Sequence, residues 1–143
     1  RGAQLEDAAR VGVLVGGAAE QHEEEVIMLL VRVQHLWGLG AYSDGCMRLW
    51  DLEGCEPTLE MRGYQPITCI AVDWVARMAI TAGSEQGIQV WDLSRAACVR
   101  ELRGHGHARC VGLDWSNRLA LSGSTAPVLI LWDLNSGREI QSL

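Results

Sequence analysis

Short runs of aliphatic and β-branched residues recur along most of the chain, separated by clusters rich in Gly, Ser, Asn and Pro. That punctuation is the pattern of strands joined by tight turns. In the middle of the chain it predicts four strands, at about 67–73, 77–82, 88–91 and 98–103. The first, ITCIAVD, is apolar on both faces and is expected to be covered on both sides. The last, CVRELR, alternates charge with Val99 and Leu102, as an exposed edge strand does. The four read as a meander running from buried to exposed.

The same unit is written three times. LWDL stands at 49–52 and again at 131–134, with VWDL at 90–93, so Trp50, Trp91 and Trp132 are 41 residues apart. The same shift carries Arg62 onto Arg103, Gly63 onto Gly104, Cys69 onto Cys110, Asp73-Trp74 onto Asp114-Trp115 and Arg77 onto Arg118. A self-similar period of this length is the signature of stacked supersecondary units, each of which buries its faces against its neighbours.

The period, four strands per unit, Gly104-His105, the SGS of 122–124 and the closing Trp-Asp resemble the WD-repeat β-propeller family. The resemblance covers 26–143 and implies an all-β fold of three consecutive four-stranded antiparallel sheets in an open, partial ring, with blades at about 26–62, 67–103 and 108–143. Residues 1–25 fall outside it as an irregular segment with at most a short helix over 5–10.

The resemblance also implies a structural network in each blade. The strand-three indole donates to a Ser or Thr of strand two, that hydroxyl meets the His of the preceding Gly-His loop, and a turn Asp orients the His. Blade three matches at His105, Ser122 and Trp132, but its turn, Ser124-Thr125-Ala126-Pro127, has no Asp. Blade two keeps Thr81 and Trp91, with Tyr64 in place of the His and Glu85 as the available acid. Blade one keeps Trp50 and Asp44, with Gly40 at the hydroxyl position and Glu23 near that of the His.

Rival chemistries are weaker. His105 and Ser122 with an acid suggest nucleophilic catalysis, but the repeat puts Ser122 in mid-strand and His105 in a structural loop, whereas a nucleophile must be exposed beside its base. No catalytic residue is assigned, and the chain is read as a non-enzyme. His105, His107 and Cys110 fall short of the four ligands of a structural zinc site, so no metal is expected. GVLVGGAAEQ, at 12–21, matches neither phosphate-loop pattern, and no cofactor is expected. Asp73-Trp74 and Asp114-Trp115 are expected to pack between neighbouring blades, because they recur at equivalent places.

Composition narrows the partners. The formal net charge of −6 opposes binding to a phosphate backbone, which excludes nucleic acid as a first expectation. All 12 basic residues are arginines, there is no Phe, and six tryptophans carry most of the aromatic packing. The longest apolar run, VIMLLVRV, has eight residues and includes Arg32, too short to cross a bilayer. Five cysteines without CxxC spacing suit a reducing compartment, cytoplasmic or nuclear.

Function is therefore expected in the loops. The family resemblance implies that one rim, built from the loops between strands two and three and between strand four and the next strand one, binds a protein or peptide. Here it carries Tyr64, Gln65, Glu85, Gln86, His107, Arg109 and Thr125. The expected role is a non-catalytic interaction scaffold. Alternatives are a substrate-recruiting or signalling subunit of the G-protein β-like or ubiquitin-ligase receptor type, and the propeller part of a larger enzyme. With three repeats, no initiator Met and REIQSL at its end, the chain is expected to be a fragment whose open end faces meet further blades or self-associate.

Overall fold

A computed structural model describes residues 9–10, 26–32, 36–63, 65–83, 87–104 and 106–143. They form an all-β structure of three antiparallel sheets, none closed into a barrel. The first sheet comprises β1 (Ala9–Arg10), β2 (Val26–Arg32), β3 (Trp37–Tyr42), β4 (Cys46–Asp51) and β5 (Glu56–Arg62), in that order. The second comprises β6 (Ile67–Asp73), β7 (Met78–Gly83), β8 (Ile88–Asp92) and β9 (Ala97–Leu102). The third comprises β10 (Ala108–Asp114), β11 (Leu119–Ser124), β12 (Leu129–Asp133) and β13 (Arg138–Ser142). Each is a meander, as short turns between consecutive strands dictate.

One expectation needs correction. Ala9–Arg10 pairs with Val31 and Leu30 as a fifth strand of the first sheet instead of ending a helix, because the open edge of β2 offers backbone partners. The rest of the expected helix, 5–8, lies outside the described residues. In the second sheet β6 is covered on both faces as expected, with Ile67, Ile70 and Val72 against the first sheet and Cys69 and Ala71 against the third, although β7 and β8 are more completely buried and Thr68 on β6 is exposed. Central strands are flanked on both edges as well as covered on both faces, whereas β6 is an edge.

Alternation sorts each strand onto two faces. Leu39, Ala41, Met47, Leu49 and Met61 of the first sheet pack on Ile70, Ala79 and Trp91 of the second. The opposite face of the second sheet, with Cys69, Ile80, Ile88 and Val90, packs on Ala120, Ile130 and Trp132 of the third. Every interface thus joins an aliphatic face to a face that carries the repeated tryptophan. Trp74 and Trp115 join these same two clusters as partly buried side chains, between sheets.

The period extends into backbone details. Leu36, Arg77 and Arg118 have φ of 50°, 53° and 57°, and Cys55, Ala96 and Gly137 have φ of 56°, 52° and 73°. Each trio follows the 41-residue spacing. At every one of these positions but Leu36 an Asp four residues earlier accepts backbone N–H groups: Asp92 Oδ1 takes those of Ser94 and Arg95 at 2.8 and 3.2 Å, and Asp73 Oδ1 that of Ala76 at 2.9 Å. Leu93 and Leu134 donate their N–H groups to the carbonyls of Arg77 and Arg118, at 2.9 and 2.8 Å, closing one turn onto the other. The Asp of each Trp-Asp pair is therefore a turn cap, an Asx-type contact in which the carboxylate replaces a backbone acceptor.

Candidate functional site

The repeated tryptophans are not equivalent. Trp91 Nε1 donates to Thr81 Oγ1 at 2.9 Å and Trp132 Nε1 to Ser122 Oγ at 2.8 Å, with all four residues buried. At 1 % exposure the Ser122 hydroxyl has no access to a substrate. Trp50 faces Gly38 and is only half-buried; Gly40, at the hydroxyl position, leaves space that the Tyr42 ring occupies, 3.3 Å from where a Cβ would stand. Arg48 lies over that ring at 4.7 Å and pairs with Glu60 at 3.2 Å. Asp44 accepts the N–H of Cys46 at 2.9 Å and so shapes the β3–β4 hairpin. His105, Tyr64, Glu85, Gln86 and Glu23 lie outside the described residues.

Of the rim residues, His107, Arg109 and Thr125 are exposed. The register brings them to one end of the third sheet. Ala108 pairs with Ser124, so His107 and Thr125 leave the sheet side by side, and the pairing skips Arg109, which forms a β-bulge. A bulge re-aims its side chain relative to the ladder. The turn that carries Thr125 has no Asp, and Ser124 Oγ accepts the Ala126 N–H at 3.1 Å in its stead.

Gln65 is a correction. It is buried at 3 % exposure, and its amide donates to the Gly87 carbonyl at 2.9 Å. A Cβ on Gly83 would stand 2.9 Å from its side-chain Cδ, and one on Gly45 would stand 2.6 Å from its carbonyl oxygen. Gln65 thus fills a slot between the first and second sheets that two glycines leave open, and it is not part of an exposed rim. Those glycines were the available signal, but glycine in a turn has commoner causes.

A contact that sequence reading missed is the bulged Thr68, 41 residues before Arg109. Its hydroxyl reaches the carbonyls of Ala82, at 3.2 Å, and Ala108, at 2.9 Å, and so joins the second sheet to the third. Thiol chemistry is subdued beside it. Burial raises the pKa of Cys69, and burial followed by a hydrogen bond to Asp44 pushes Cys46 up to about 11. Among the described residues no group of three or more His, Cys, Asp or Glu is placed to hold a metal ion, and no helix is long and apolar enough to cross a membrane. No protein-family model matches the chain, and no curated protein is significantly similar to it.

Proposed function

We propose that the chain is a WD-repeat propeller segment that acts in the cytoplasm or nucleus as a non-catalytic scaffold, binding a protein or peptide at the end of the third sheet. The observation that carries this reading is the bulge at Arg109, which sets an exposed guanidinium beside exposed His107 and Thr125 on a framework of packed sheets. Recognition groups on loops held by a rigid scaffold lose little conformational freedom on binding. Arginine suits the task because its planar fork donates two parallel hydrogen bonds to a carboxylate.

The fitting ligand is an extended peptide with a carboxylate for Arg109. Selection from a random peptide display library against the folded chain tests this. Enriched peptides are expected to be acidic and to bind the Arg109→Glu variant at least tenfold more weakly, with its thermal unfolding unchanged. Enrichment of peptides that bind both proteins equally, or no enrichment at all, overturns the rim assignment.

A further inference from the structure

The end of the sheets opposite the rim carries a device that recurs at both interfaces. The turns after β6 and β10 read Asp-Trp-x-x-Arg, at 73–77 and 114–118. Arg77 lies over the Trp37 ring at 5.5 Å, and Arg118 over the Trp115 ring at 4.1 Å. Trp37 is half-buried against the cluster that joins the first sheet to the second, and Trp115 against the cluster that joins the second to the third. Each interface thus ends in an indole capped by a guanidinium, and each has both of its sheets in place.

The hydrogen-bonding capacity left over at this end is cationic. Asp73 accepts the Ala76 N–H at 2.9 Å, and Asp92 accepts that of Ser94 at 2.8 Å with the Arg95 guanidinium 3.6 Å away. Asp114 accepts the Asn117 N–H and side-chain amide at 3.1 and 2.8 Å, and Asp133 the Ser136 hydroxyl at 2.7 Å. The Arg77 and Arg118 guanidinium groups are exposed and have no hydrogen bond or ion pair among the described residues. A guanidinium stacked on a ring keeps its in-plane N–H donors available and loses little freedom when they are used.

We propose that these two arginines bind an extended acidic segment of a partner protein, each holding one carboxylate in its planar fork. They stand one sheet spacing apart, about 10 Å, which three residues of extended chain span. Val75, at the apex of the β6–β7 turn and 87 % exposed, offers an apolar contact to a side chain between the two acids. A peptide supplies such a side chain, and a phosphate backbone does not. β10 runs from Ala108 at the rim to Asp114 at this end, so the surface is separate from Arg109 and either proposal can fail alone.

Fluorescence polarisation tests it with a labelled peptide that has Glu at every third position and Val and Thr between. The 143-residue chain carrying Arg109→Glu is titrated in from about 1 µM to about 1 mM, so that the rim cation plays no part. Saturable binding is expected, lost when every Glu of the peptide is replaced by Gln and weakened at least tenfold when Arg77→Gln and Arg118→Gln are added. Circular dichroism checks that the added substitutions leave the chain folded; if they do not, Arg118→Gln alone replaces them, with a loss of at least threefold. No binding by the Arg109→Glu chain, equal binding of the Glu and Gln peptides, or binding indifferent to the turn arginines would each overturn the proposal.

Discussion

The indole N–H of Trp132 meets the hydroxyl of Ser122 at 2.8 Å, and neither residue is more than 1 % exposed. Two polar groups taken out of water in this way satisfy each other, and removing either strands its partner. Ser122→Ala is expected to cost about 1–3 kcal/mol, and Thr81→Val, which strands the Trp91 indole, a similar amount. Denaturant unfolding measures both. A loss below about 0.5 kcal/mol at both sites would mean that water or another acceptor already serves the indoles.

Much of the fold is legible from the repeat because packing imposes it at every level. Trp50, Trp91 and Trp132 mark one strand in each sheet, and the β6 bounds are those the apolar run predicts. What was not legible depends on contacts distant in sequence. Gln65 reads as a polar loop residue until Gly83 and Gly45 are brought against it. Gly40 already marks in the sequence that Trp50 lacks the hydroxyl its counterparts have, but not that the Tyr42 ring takes up the space beside it. Of the candidate site, the bulge at Arg109 leaves no mark in the sequence, since an inserted ladder residue needs no special side chain.

The left-handed turn positions were equally hidden, because five of the six are not glycine. A non-glycine residue at such a φ brings its Cβ against the backbone, at a cost of about 1–2 kcal/mol. Ala96→Gly is therefore expected to stabilise the chain by about 0.5–1 kcal/mol once the added unfolded-state entropy is subtracted. Gly137→Ala at the matching position should destabilise by about 1 kcal/mol, as the new methyl also meets Arg100 Cδ at 3.2 Å. Opposite shifts in melting temperature for the two variants are the check; shifts of the same sign would contradict the strain assigned to these turns.

The caps make acid sensitivity specific. The Asp133 carboxylate accepts from the Ser136 hydroxyl at 2.7 Å and from the Asn135 N–H at 2.9 Å, and these bonds hold its pKa below the usual carboxylate value. A pKa lowered by folding contributes stability above the unfolded value of about 3.9, and the contribution is lost as pH falls toward the folded one. Between pH 5 and about 2.5, wild-type stability is expected to fall more steeply than that of Asp133→Asn, whose amide oxygen still accepts but does not titrate. Parallel pH profiles would remove Asp133 from the account of acid unfolding.

Cys46 and Cys55 offer the sharpest contrast in one sheet: the first is buried and the second exposed. Burial, reinforced by the carboxylate of Asp44, favours the neutral thiol of Cys46 and pushes its pKa up to about 11. Only the thiolate attacks an alkylating agent, and at pH 8 a pKa of about 11 leaves about one thiol in a thousand ionised, against roughly one in four at the ordinary value of 8.5. Iodoacetamide is therefore expected to modify Cys46 at least 100-fold more slowly than an ordinary exposed thiol, while Cys55 reacts freely. Asp44→Asn removes the neighbouring charge but leaves the burial, so it should restore only part of the rate. The same raised pKa means that the fold loses stability as pH climbs from the unfolded thiol value toward about 11. Mass-spectrometric labelling by site decides the matter, since comparable rates at Cys46 and Cys55 in the native protein would show that the β3–β4 hairpin opens far more often than its packing implies.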